Sequence, residues 1–133
     1  MNDGLKDISI LVVEDDEDTR ELLKVLLETQ GAVVTTTSSV QEALSAYDRS
    51  RPNVIVADIG MPDYNGYTLI GRVRARDRGK GPMVPAIALT AFATAIDRDT
   101  VLSAGFQVHM PKPFEPDRLI SVIVELASRY PCV

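Results

Sequence analysis

The fold is decided by a short stretch near the start of the chain, ISILVVEDD at residues 8–16, where a mostly apolar run meets three acidic residues. A run that is apolar at consecutive positions is typical of a strand covered on both faces, as in a parallel sheet. Two later stretches, VIVAD at 54–58 and VPAIALT at 84–90, have the same pattern. Shorter segments at 32–36 and 106–109 are rich in β-forming residues. The sequence therefore predicts five strands.

Helical patterns follow each of these strands. The first helix carries one apolar stripe and ends at Gly31: Leu22, Leu23, Leu26 and Leu27. Ser39 and Glu42 have the capping-box spacing that begins a second helix. Apolar spacing predicts a third helix around 67–73, a fourth over about 93–104 and a fifth that begins near residues 115–116. Strand and helix alternate five times, which predicts a doubly wound α/β fold with a parallel sheet.

Length and composition are those of one globular domain over residues 1–133. Hydrophobic residues make up 45% and charged residues 25% of the chain. The net charge of −5 argues against a surface built for nucleic acid, and no segment is apolar enough to cross a membrane. Cys132 is the one cysteine, so no internal disulfide can form. We expect a cytoplasmic domain that contacts neither nucleic acid nor membrane.

Acidic, hydroxyl and ammonium groups follow the predicted strands. Glu14 and Asp15 follow the first strand, Asp58 closes the third, Thr90 closes the fourth and Lys112 follows the fifth. Ligands of doubly wound sheets bind beyond the carboxyl ends of the strands. Clustered carboxylates without histidine or cysteine suit Mg²⁺, which phosphate oxygens commonly complete. We expect Asp58 to be a nucleophile that forms an aspartyl phosphate, with Lys112 and Thr90 stabilising the phosphoryl group.

Each of these residues also has a simpler explanation. An aspartate after a strand is commonly a turn former or a helix cap, and we expect Asp16 to cap the first helix. Taken singly, Thr90 could be a loop hydroxyl and Lys112 an ordinary surface lysine. The combination of all of them at the correct strand ends favours the chemical interpretation. The stretch 74–81, which is basic and contains glycine, is expected to be a solvated helix end and loop.

Four segments resemble the signatures of response regulator receiver domains. They are VVEDD at 12–16, DIGMP at 58–62 with Asn65-Gly66 behind it, LTA at 89–91 and MPKPF at 110–114. The resemblance covers residues 8–127. Each signature is weak alone, but four in the correct order are highly specific.

The resemblance implies a flavodoxin-like (βα)₅ three-layer sandwich with strand order 2-1-3-4-5. It implies that Asp58 is phosphorylated from a phosphohistidine of a histidine kinase or histidine phosphotransfer domain in a two-component phosphorelay. Mg²⁺ would be bound by Asp15, Asp58 and the backbone carbonyl of Gly60, and by Glu14 through water. Lys112, which would precede a cis proline, would contact the phosphoryl group.

The resemblance also implies a switch, in which Thr90 moves toward the phosphoryl group. His109 stands where many relatives have an aromatic residue that rotates with this threonine, so the conformational response could depend on pH. Its alternative role is that of a partly exposed histidine at the sheet edge. Gly60 and Phe92 offer no polar group to orient an attacking water, which leads to the hypothesis of a long-lived phosphoryl group.

Three alternatives remain open at this stage. The domain could be a docking module that is never phosphorylated, although the intact set of acidic residues argues against this. A small phosphotransferring or nucleotide-binding enzyme is disfavoured, because the chain lacks a Walker sequence and a G-x-G-x-x-G turn. The receiver itself would not be an enzyme, and could stand alone or belong to a longer regulator or hybrid histidine kinase. Homodimerisation through helix 4, strand 5 and helix 5 is a further expectation.

Overall fold

A computed structural model of the chain describes residues 4–59, 66–78, 83–90 and 95–129. In these ranges strands and helices alternate. The strands are β1 (Ser9–Val13), β2 (Val33–Thr37), β3 (Val54–Asp58), β4 (Ala86–Thr90) and β5 (Val108–Pro111). The helices are α1 (Glu17–Thr29), α2 (Val40–Arg49), α3 (Gly66–Asp77), α4 (Ala95–Ala104) and α5 (Pro116–Arg129). The predicted strands and helices are confirmed with small shifts, among which β5 differs most from its predicted range of 106–109.

The five strands form one parallel sheet in the order β2-β1-β3-β4-β5, which confirms the predicted fold class. The register pairs Val13 with Ala57 and Asp58 with Leu89. The strands β1, β3 and β4 therefore end close together at one edge of the sheet, at the switch in strand order where doubly wound folds bind ligands.

Local signals explain where the helices begin and end. The carboxylate of Asp16 accepts a hydrogen bond from the backbone N–H of Thr19 and caps α1, as predicted. The hydroxyl of Ser39 accepts from the N–H of Glu42 and caps α2. Glu42 reaches back to Ser38 instead of completing the box on Ser39. Beyond the end of α1, Gly31 has a φ of +94°, a conformation that glycine adopts without strain.

Alternation along the strands sends side chains into two cores, one on each face of the sheet. One core joins β1, β3 and β4 to α2, α3 and α4, and the other joins the sheet to α1 and α5. On α1, Leu23 and Leu27 are buried and Leu26 packs at the margin, whereas Leu22 is 58% exposed. The apolar stripe of this helix is thus narrower than the sequence predicts.

The prediction of a solvated helix end at residue 74 is wrong. Arg74 lies in the last turn of α3 and donates hydrogen bonds to the carbonyls of Gly105 and Val84 and to the carboxylate of Asp77. Asp77 is itself buried and also pairs with Arg51. The Arg74 guanidinium therefore takes part in tertiary structure by satisfying several partly buried acceptors. The sequence alone shows only a basic stretch at this position. Residues 79–82 lie outside the described ranges.

Among the helices of the described ranges, none combines the length and the apolar composition that a membrane crossing requires.

Candidate functional site

The predicted site residues meet at the carboxyl edge of the sheet. Asp58 is the last residue of β3 and is largely buried, because the sheet and its flanking helices cover this central strand. Glu14 directly follows β1, and its backbone N–H bonds the carbonyl of Thr37 at the end of β2. Lys112 directly follows β5, and its peptide bond to Pro113 is cis, as the resemblance implies.

Lys112 joins two of the carboxylates. Its Nζ donates to Oδ2 of Asp58 at 2.9 Å and to Oε2 of Glu14 at 3.1 Å. Burial alone would lower the pKa of Lys112, but the hydrogen bonds and charges of Asp58 and Glu14 outweigh burial and raise it. The ammonium group of Lys112 therefore stays charged and pairs with both Asp58 and Glu14.

Glu14 is held in an unfavourable place for a carboxylate. It has no exposed surface, and it accepts hydrogen bonds from the N–H of Asp16 at 3.2 Å and from Lys112. Burial, reinforced by the negative charge of Asp58, raises the pKa of Glu14 to about 7, although Lys112 acts in the opposite direction. One ammonium group thus compensates only part of the negative charge at this edge.

Asp15 completes a cluster that could hold a metal ion. One carboxylate oxygen from each of Glu14, Asp15 and Asp58 lies within 4.8 Å of the other two. In octahedral Mg²⁺ sites, ligand oxygens about 2.1 Å from the ion lie about 3 Å apart when adjacent and about 4 Å apart when opposite. The separations within the cluster are compatible with these values, either directly or through one bridging water. The oxygen-only donor set and the excess negative charge both fit Mg²⁺.

Thr90 and His109 lie on the two strands beside this cluster. Thr90 closes β4 with 1% of its surface exposed, and its carbonyl accepts the N–H of Lys112 at 2.8 Å. His109 lies in β5 opposite Ala88, and its side chain is partly exposed. Since Ala88 packs against α2–α4, alternation places Thr90 and His109 on this same face of the sheet. Their proposed roles as a switch remain predictions.

Two residues that the sequence analysis singled out, Gly60, whose carbonyl is a predicted metal ligand, and Phe92, lie outside the described residues. The hypothesis of a long-lived phosphoryl group depends on them and stays a prediction.

The sequence analysis did not identify Arg20, whose NH1 donates to the carbonyls of Glu14 at 3.0 Å and Asp15 at 3.4 Å. A cation near a helix amino terminus opposes the helix dipole, and this anomaly is the signal that could have indicated a tertiary contact.

Comparison with known families identifies the domain. The profile described as "Response regulator receiver domain" matches residues 10–124, which is most of the chain. The chain belongs to this family. It is therefore a receiver domain of two-component signalling systems.

Individual relatives agree with this assignment. An uncharacterized 14.6 kDa protein of Leptolyngbya boryana is 44% identical over 127 residues, which cover 96% of this chain and 95% of that protein. The transcriptional regulatory protein TrcR of Mycobacterium tuberculosis is 34% identical over 92% of the receiver, which spans only 46% of that regulator. The receiver domain of the Francisella response regulator 1452 superposes with a TM-score of 0.84 and 28% identity, covering 92% of this chain and 98% of that one.

Proposed function

We propose that Asp58 accepts a phosphoryl group from a phosphohistidine, which a histidine kinase or a histidine phosphotransfer domain supplies. The observation that supports this most strongly is the position of the Asp58 carboxylate. It closes a buried strand, bonds the Lys112 ammonium at 2.9 Å and belongs to the three-carboxylate cluster. This set matches the requirements of aspartyl phosphate chemistry, namely a nucleophile, a cation for the phosphoryl oxygens and ligands for a metal.

In the proposed reaction, a carboxylate oxygen of Asp58 attacks phosphorus and forms an O–P bond. The N–P bond of the donor breaks, its electron pair stays on the ring nitrogen, and the imidazole takes up a proton from solvent and leaves neutral. Lys112 then bonds a phosphoryl oxygen, since its Nζ already lies between Asp58 and Glu14. The receiver contributes the acceptor and these contacts, and the phosphohistidine belongs to the partner.

Glu14, Asp15 and Asp58 would hold Mg²⁺, together with the backbone carbonyl of Gly60. Bound there, the ion would offset the charge that develops on the phosphoryl oxygens. Asp15 and Asp58 would contact the ion directly, whereas Glu14, which is buried, would act through a water molecule.

Phosphorylation would then change the face formed by α4, β5 and α5. Thr90 is the last residue of β4, the strand beside that of Asp58, and its carbonyl accepts the N–H of Lys112 at the end of β5. A shift of the Thr90 hydroxyl toward the phosphoryl group would therefore be transmitted to α4 and to His109 on β5. This face would bind the downstream partner or a second copy of the receiver.

The first experiment treats the receiver with phosphoramidate, a small N–P donor, with and without MgCl₂. Intact-mass spectrometry should show one added phosphoryl group, and hydroxylamine should remove it because an acyl phosphate is an activated carbonyl. Removal of Mg²⁺ by EDTA should abolish the modification, and Asp58→Asn should never carry it.

Asp16→Asn is the matched control, because it removes one negative charge near the site while asparagine can still cap α1. It should be phosphorylated like the wild type. A wild-type protein that stays unmodified would favour a docking module, and modification of Asp58→Asn would assign the acceptor to another residue.

A further inference from the structure

A second cluster of charged side chains lies at the end of the sheet opposite Asp58, and Arg74 is its centre. All five N–H donors of the guanidinium are used. Nε and NH2 donate to the Gly105 carbonyl at 3.1 and 2.9 Å, and NH2 also donates to Oε1 of Gln107 at 2.9 Å. NH1 donates to Oδ2 of Asp77 at 2.8 Å and to the Val84 carbonyl at 2.6 Å. The guanidinium thus ties α3 to the segments that precede β4 and β5.

The ion pair with Asp77 fixes the position of the Arg74 guanidinium. Asp77 is 7% exposed and also accepts hydrogen bonds from the Tyr47 hydroxyl and pairs with Arg51 at 3.0 Å. Burial, together with the hydrogen bond to Asp77, raises the pKa of Tyr47, so its hydroxyl remains a donor. The cluster therefore has a fixed position relative to α2 and α3.

The segment that Arg74 binds connects α4 to β5, and it is closely packed. Gly105 has a φ of +126°, and a Cβ atom there would lie 3.3 Å from Cγ of Arg74 and from Cγ1 of Ile70. Gln107 makes two hydrogen bonds with Ala86 at the start of β4. Its backbone N–H donates to the Ala86 carbonyl at 2.9 Å, and its side-chain Oε1 accepts the Ala86 N–H at 2.7 Å. A shift of this segment would break several charge-assisted hydrogen bonds at once.

Thr90 lies before α4 in the chain and Gly105 lies directly after it. We propose that Arg74 anchors the carboxyl-terminal end of α4, so that the conformational response to phosphorylation is confined to the other end of this helix. The inference rests on the proposed phosphorylation of Asp58, and it makes Arg74 a positioning residue for the switch. Without the anchor, α4 would shift along its whole length and the response would reach β5 from both ends.

Hydrogen–deuterium exchange with mass spectrometry can test the anchor. The receiver is compared with and without beryllofluoride and MgCl₂, which together imitate a phosphorylated aspartate. In the wild type, exchange in 102–107 should stay unchanged while exchange near the start of α4 changes. Arg74→Lys keeps the charge beside Asp77 but lacks the planar set of donors. Exchange in 102–107 should rise about tenfold in this variant, and the response to beryllofluoride should extend into these residues.

Arg51→Lys is the matched control, because Arg51 pairs with the same aspartate from the turn between α2 and β3. Equal exchange of 102–107 in the two variants would overturn the proposal, as would a wild-type response that is as large in 102–107 as at the start of α4. If Arg74→Lys does not fold, Gln107→Ala removes one anchoring contact and leaves the Arg74–Asp77 pair. A wild type that ignores beryllofluoride would contradict the phosphorylation of Asp58, while the comparison of the unliganded variants would still test the anchor.

Discussion

Glu14 has no exposed surface, and its carboxylate lies close to Asp58 with one hydrogen bond from Lys112. A buried charge that is only partly compensated destabilises the folded state. We expect Glu14→Gln to raise the free energy of unfolding by about 1 kcal/mol at pH 8 in EDTA, since the amide is neutral and still accepts a hydrogen bond. Urea denaturation followed by circular dichroism measures this difference.

The matched control for this change is Glu28→Gln, an exposed position on α1, where the stability should change by less than about 0.5 kcal/mol. With saturating MgCl₂ the advantage of Glu14→Gln should shrink or reverse, because the wild-type carboxylate then faces a cation. A variant that is less stable than the wild type in EDTA would show that the Lys112 ion pair outweighs burial and repulsion.

The clustering of the candidate site residues could be predicted from the sequence because most of them end or follow a strand. Parallel strands deliver Glu14, Asp58 and Thr90 to one edge whatever their separation in the chain. What could not be predicted is which atoms pair. The Lys112 contacts span 98 residues to Glu14 and 54 to Asp58, and their geometry depends on the register of the four strands β1, β3, β4 and β5. Arg20 was missed for a different reason, because its acceptors are nearby backbone carbonyls and only its unfavourable position near a helix amino terminus indicates the contact.

Helix α3 contains a glycine, Gly71, that lowers the stability of the helix and has open space where a side chain would lie. Gly71 lies in the middle of the helix, and an added Cβ atom there would have no neighbour within 4 Å. Glycine inside a helix costs about 0.5–1 kcal/mol relative to alanine, because it has more conformational freedom to lose. We expect Gly71→Ala to raise the free energy of unfolding by this amount, as measured by chemical denaturation.

Gly105→Ala is the corresponding change where glycine is required. Its φ of +126° disfavours any side chain, and the new methyl group would meet Arg74 and Ile70. This substitution should destabilise the receiver by about 2 kcal/mol or more. If both substitutions had the same effect, backbone conformation and packing would not distinguish the two positions.

The boundaries of the helices were predictable where a local signal sets them, and unpredictable where tertiary contacts do. Asp16, Ser39 and Pro116 begin their helices through bonds or backbone geometry within one turn, so the sequence contains the whole cause. At the end of α3, the arginine that looks like a solvated residue is held by acceptors 31 and 33 residues away, at Gly105 and Gln107. Composition alone cannot distinguish these two situations.

On the scale of the whole molecule, the carboxylate cluster and Lys112 lie at the ends of three different strands, so an ion bound there would connect elements far apart in the chain. A ligand that binds only the folded state raises its stability by RT ln(1 + [ligand]/Kd). At ten times Kd this is about 1.4 kcal/mol, or about 4 °C in Tm for a domain of this size. We therefore expect MgCl₂ to raise the Tm of the wild type in a saturable way, as followed by differential scanning calorimetry.

Asp15→Asn and Asp16→Asn separate metal binding from a general charge effect. Both remove one negative charge, from neighbouring exposed positions, but only Asp15 places an oxygen in the cluster and Asp16 caps α1. Asp15→Asn should lose most of the Mg²⁺-dependent rise in Tm, and Asp16→Asn should keep it, because asparagine caps helices about as well as aspartate. An equal rise in both variants would mean that Mg²⁺ screens the acidic surface without binding the cluster, and CaCl₂ and NaCl at matched ionic strength would then raise Tm equally.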